Sequence, residues 1–214
     1  MPDPVSTAIL QKFHQVVLAD KIPIKVIADG NCLYRALSRA MYAHEANHLH
    51  IRLLTAIEIG QYSQYYDYEA ADHIDMIQDE RVVTDTYQEI FKDACTVGAF
   101  SSISHIFAAS AALSLRVRSF CPAMVRSVFL TEPLTRKVRG RGVRDVSCNI
   151  TVMWTAMSVP RTEAKFRPIH FVVLCDRNPE EQHADSISIS DSDSDSDNEQ
   201  TGNSSHTDDL NESV

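Results

Sequence analysis

The chain is poor in several things that would assign it quickly. It has 214 residues, six glycines and one tryptophan, and no apolar window long enough to span a bilayer. Its N-terminus lacks a charged start followed by an apolar run, so no secretory leader is expected. Its five cysteines (Cys32, Cys95, Cys121, Cys148 and Cys175) are odd in number and contain no Cys-x-x-Cys pair. That argues against a disulfide scaffold and for a reducing, intracellular setting, cytoplasmic or nuclear. Basic residues are missing from the last thirty positions, where nine carboxylates stand between Asp185 and Glu212. The formal charge of −9 therefore belongs to the tail, and residues 1–184 balance 20 basic against 20 acidic side chains. Without a broad basic field, neither nucleic-acid nor membrane binding by the folded part is expected.

What is present reads as one folded domain, residues 5–178, followed by a disordered acidic Ser/Asp-rich tail, 185–214. Apolar spacing predicts a helix over 6–19, with Ile9, Leu10, Phe13, Val16 and Val17 on one side. Extended chain follows over 22–28. Further helices are predicted from Cys32, over 48–60 with Leu49, Leu53, Ala56 and Ile57 inward, over 84–95, and over 101–113. Residues 61–80 match no pattern. Strands are expected at 114–120, 149–154 and 169–174, the last apolar enough to be covered on both faces. This order gives an α/β (α+β) domain, a small central sheet packed between helices. The stretch RKVRGRGVR, 136–144, reads as a solvated hairpin or loop, or as a contact for an acidic partner or for the protein's own tail.

Chemistry concentrates in VIADGNCLYRALSRAMY, 26–42. Asp29, Gly30 and Asn31 are turn formers, and Leu33, Ala36, Leu37, Ala40 and Met41 form the apolar stripe of the helix that follows. Cys32 thus falls in a helix's first turn, where free N–H groups and the helix dipole favour a thiolate and also a developing oxyanion. A packed, inert thiol is the alternative. A nucleophilic cysteine needs a histidine base, and His170, opening the last strand after Pro168, is placed to serve. His44, Glu45 and His48 match the H-E-x-x-H zinc pattern, but they fall where one helix ends and the next begins, so no metal or other cofactor is expected.

DGNCLYRALSRAMY together with PIHFVVL resembles the ovarian-tumour (OTU) family of cysteine proteases, most of which are deubiquitinases. HLHIRLL, 48–54, is similar to that family's His-x-x-Leu-Arg segment. GAFSSISHIFAASAALSLRVRSF, 98–120, is similar to its Gly-x-Trp-Gly stretch, with Phe100 in place of the tryptophan. The NITVMW region resembles, more weakly, the vertnin group of OTU-like proteins associated with mobile elements. The resemblance implies an OTU-like cysteine protease fold in which Cys32 is the nucleophile and His170 the general base. It also implies that Asp29 shapes the loop, while the backbone N–H groups of Asn31 and Cys32 form the oxyanion hole. The implied activity is thiol-dependent removal of ubiquitin or a ubiquitin-like protein from lysine. One departure stands out: Val172 occupies the position where many members orient the histidine with Asn or Asp, Asp176 lies past the strand, and an upstream acid such as Asp20 would have to substitute. The alternative is a catalytically impaired OTU-like module that binds such proteins, in a mobile-element-derived setting. In the tail, Ile187 and Ile189 alternate beside acidic residues in a pattern that resembles a SUMO-interaction motif.

Overall fold

The computed structural model describes residues 1–67, 85–122, 134–144, 149–162 and 165–177. These fall in one compact unit, Met1–Arg177. The tail with Ile187 and Ile189, most of the unassigned 61–80 segment, and Cys148 lie outside the described residues. In chain order the elements are α1 (Pro4–Phe13), α2 (Gln15–Asp20), β1 (Lys21–Ile24), α3 (Cys32–Tyr42), α4 (His48–Gln61), α5 (Ser63–Tyr66), α6 (Tyr87–Cys95), α7 (Ile103–Ala112), β2 (Arg116–Phe120), β3 (Arg136–Arg139), β4 (Asn149–Thr155) and β5 (His170–Asp176). Among the described residues, no helix is long and apolar enough to cross a membrane.

The strands form one mixed sheet in the order β1-β5-β4-β2-β3, in which only β2 and β4 run parallel. β5, the last in sequence, lies next to β1, the first. Its His170–Leu174 run is buried throughout, as a strand covered on both faces requires. Neighbouring residues of β4 show the two layers. Thr155 meets Ser6 of α1 through a 2.8 Å hydroxyl contact, while Trp154 packs on Phe171, their ring centroids 4.2 Å apart. Alternate side chains point to opposite faces, so Thr155 and Trp154 mark the two layers; α1 packs at Thr155, and α3 packs on β4 and β5.

Three sequence expectations are corrected here. The single helix over 6–19 is two, broken at His14 (φ −156°, ψ 60°), whose ring stands edge-on to Phe120. Ile9 and Leu10 are buried as expected, but Val16 faces solvent. Helix α4 is rotated from its hydropathy reading. It buries Ile51, Arg52, Thr55, Ala56, Glu58 and Ile59, and exposes Leu49, Leu53 and Ile57. The polar groups go inward because each finds partners there: Arg52 on backbone carbonyls, Glu58 on Tyr66 and Arg141. Finally, Arg136–Arg139, read as a solvated hairpin or loop, is a strand paired with β2. Val138 is fully buried and anchors it, and Gly140 ends it where a Cβ would lie 2.2 Å from the Ala111 nitrogen of α7.

Candidate active site

The Asp29-Gly30-Asn31 turn is held from every side. The Asp29 carboxylate accepts bonds from the Asn31 backbone N–H, the Asn31 side-chain amide, and both Nε and a terminal nitrogen of Arg35. The Arg35 fork keeps this carboxyl ionised far below the usual carboxylate range. Gly30 is obligatory: its φ is +78°, and a Cβ there would fall 1.7 Å from the Gly98 carbonyl oxygen. The Asn31 side-chain oxygen in turn accepts the Gly98 N–H and a nitrogen of Arg52, each at 3.1 Å. Arg52 is itself buried, donating to the Ala99 and Asp93 carbonyls with its guanidinium over the Tyr34 ring. A buried cation thus staples the 98–99 loop to the turn preceding Cys32.

Cys32 opens α3 as the sequence suggests, and α3 packs on β5. The N–H groups of Phe171, Leu33 and Cys32 itself face the sulfur and favour its anion. Burial outweighs them. The residue is only 2 % exposed and its thiol is pushed above the ordinary value, opposite to the direction expected from helix position alone. Phe171 directly follows His170, so residues far apart in sequence converge at the mouth of β5. The Asn31 N–H, expected beside that of Cys32 in an oxyanion hole, is engaged by Asp29. Of the two, the Cys32 N–H remains.

His170 is 6 % exposed, and its Nδ1 is buried with no partner among the described residues. Burial lowers its pKa, against the opposing pull of the Asp3, Asp29 and Glu45 carboxylates. Asp3 leads those three, and a chain of contacts shows why. It caps α1, accepting the Ser6 N–H at 2.8 Å; Ser6 bonds Thr155; and Thr155 stands directly opposite His170 in the β4–β5 register. Asp3 reaches this position because the first residues dock on β1, with Asp3 N–H to the Pro23 carbonyl and Lys25 N–H to that of Met1. Sequence reasoning missed Asp3. Its signal, an acidic residue before Pro4 at a helix start, announces a cap but not what the cap will face. The acids weighed instead lie at the other end of β5: Asp176 pairs with Lys21, and the Asp20 carbonyl accepts the Arg177 N–H. Val172 is buried in the sheet opposite Met153.

Phe100 lies over this junction, stacked on Phe171 with centroids 5.9 Å apart. His105, by contrast, is a structural histidine, accepting the Ser102 N–H at Nδ1 and bonding the Ile90 carbonyl through Nε2. His44 and Glu45 sit in the turn between α3 and α4, so the H-E-x-x-H residues do not share a helical face. Glu45 is instead paired with Arg35 and Arg39.

The family model described as "Vertnin, OTU domain" matches residues 23–155. Solved structures with a similar chain path include an OTU domain titled OTUD1, at 19% identity and a TM-score of 0.48, over 80% of this chain and 94% of that one. The viral OTU domain protease from Qalyub virus is 13% identical with a TM-score of 0.47, over 75% and 87%. The Hazara virus OTU bound to ubiquitin is 15% identical with a TM-score of 0.43, over 76% and 85%. No curated protein sequence matches the chain.

Proposed function

The chain belongs to the vertnin OTU-domain family, and from that premise we propose that it is a thiol-dependent hydrolase that removes ubiquitin or a ubiquitin-like protein from lysine side chains. In this reading Cys32 Sγ gives its proton to His170 and attacks the carbonyl carbon of the modifier's C-terminal glycine. The tetrahedral oxyanion takes the Cys32 N–H. Its collapse breaks the C–N bond, and His170 returns the proton to the departing lysine amine. Water, deprotonated by His170, then cleaves the thioester and restores the thiol. Both groups rest neutral, the thiol raised and the imidazole lowered by burial, so His170 serves as a true base rather than half of a standing ion pair. Asp3, first of the carboxylates that favour the charged imidazole, stabilises the imidazolium by its charge as it forms.

The observation that carries the reading is the packing of α3, which Cys32 opens, on β5, which His170 opens. A ubiquitin probe with an electrophilic C-terminus tests it. The wild type should form a covalent adduct that Cys32→Ala and His170→Ala abolish and a chelator leaves untouched. Absence of any wild-type adduct, with non-covalent ubiquitin binding retained, favours the second reading, an OTU-like module that binds without turnover. The near-complete burial of Cys32 supports that second reading.

A further inference from the structure

At the end of β4 away from Thr155, the sheet carries an unusual arrangement of charge. Arg116 stands directly opposite Arg139, and Arg118 opposite Lys137, across the antiparallel β2–β3 pair. Alternation places all four on one face, with Val117 and Val138 buried on the other. Cationic residues directly opposite each other, their Cβ atoms about 5 Å apart, destabilise a sheet. They line a groove of about 700 Å³ completed by Lys21, Asn149 and Thr151, whose one carboxylate, Asp176, is already paired with Lys21. A second cavity of about 720 Å³, reached by Arg136, Arg141 and Arg144, flanks the same strand. Arg141 is held by Glu58, but Arg118, Lys137, Arg139 and Arg144 have no carboxylate partner among the described residues. β3 is the last strand of the sheet, and no described residue pairs with its outer edge.

We propose that the outer edge of β3 accepts an acidic extended segment of a partner protein as a sixth strand. Such a segment repeats its side chains at the spacing of the sheet. Carboxylates of one parity would meet Lys137 and Arg139, and those of the other would meet Arg136 and Arg144. Positive charge on an edge strand repels basic strands and is costly to desolvate against neutral ones, which guards against aggregation, and the same charge selects an acidic one. A nucleic acid would engage cations along a single surface. Here they flank both sides of one strand, and the groove of about 700 Å³ has no aromatic lining on which bases would stack. This inference does not depend on hydrolase activity.

Fluorescence anisotropy with the full chain tests it, using a peptide of alternating aspartate and threonine, the same peptide N-methylated at every second amide, and a DNA duplex. The unmodified peptide should bind, weaken as salt is raised, and lose at least about tenfold in affinity on N-methylation, because that removes the strand's donors. The Lys137→Glu/Arg139→Glu variant should lose the same peptide. Failure of the unmodified peptide to bind overturns the proposal. Equal binding of the methylated peptide, or tighter binding of the duplex, overturns it too, since the edge would then be reading charge alone. The methylation arm needs no variant and holds even if the double substitution fails to fold.

Discussion

The two ends of the central sheet treat charge in opposite ways. At the Thr155–His170 end, ionised groups are saturated, and Arg52 and Asp3 are buried as well. Asp29 accepts four bonds, Arg52 sits on two carbonyls and an amide, and Asp3 caps a helix. At the Arg116–Arg139 end, four cations face one another across two strands, three of them (Arg118, Lys137 and Arg139) without a carboxylate partner among the described residues. A saturated carboxylate fixes geometry, because moving it breaks several bonds at once. Unsatisfied like charges stabilise nothing in the fold and become favourable only when an anion arrives. One end is built to hold atoms still, and the other to receive a partner.

Substitutions should separate these ends, and the largest effect belongs to the saturated one. Gly30→Ala puts a Cβ into the Gly98 carbonyl at a backbone angle that alanine resists, so a loss of at least about 3 kcal/mol in denaturant unfolding is expected. Wild-type stability there would show that the turn tolerates displacement. Acid should come next. His105 is fully buried and neutral, its pKa lowered to about 4 by burial, and His170 is shifted in the same direction. The unfolded chain therefore takes up protons first as pH falls below about 6.5, so stability is full above that value and declines toward pH 4. His105 alone accounts for about 3 kcal/mol, measurable by unfolding at several pH values. For activity, the acid limb of probe labelling should lie below the ordinary histidine value, because a base with a lowered pKa stays neutral longer.

Asp3→Asn keeps the helix cap, since Asn caps as well as Asp, but removes the charge near His170. Turnover should fall by between about 10- and 10⁴-fold, with unfolding unchanged and the acid limb moved further down. Unchanged turnover would leave Asp3 as a cap alone. The smallest effect belongs to the open end. Lys137→Glu sets a carboxylate opposite Arg118 and should stabilise the fold by about 0.5 kcal/mol in thermal unfolding. If it destabilises instead, the cations are not in conflict and the contrast between the two ends weakens.

Much of the fold was legible because local periodicity carries it. The α3 stripe, the buried β5 run and the Gly30 turn are each written in fewer than twelve neighbouring residues. The misreadings have a common cause. Leu53 and Ile57 looked inward, because hydropathy cannot register that Arg52 will find the Asp93 and Ala99 carbonyls from another segment. RKVR read as a solvated hairpin or loop because its single apolar residue, Val138, is an anchor only once β2 lies beside it.

By itself the amino-acid order determined which groups were chemically competent: a thiol behind a glycine turn, an imidazole at a strand mouth, a run of cations, an acid at a helix start. Tertiary structure decided which of them meet. Docking of the first residues on β1 brought Asp3 toward His170, β5 carried the Phe171 N–H to the Cys32 sulfur, and desolvation there reversed the thiol shift that helix position would impose. Proton affinity and pairing depend on the surroundings of a group in space, and those surroundings come from segments that no local stretch of sequence contains.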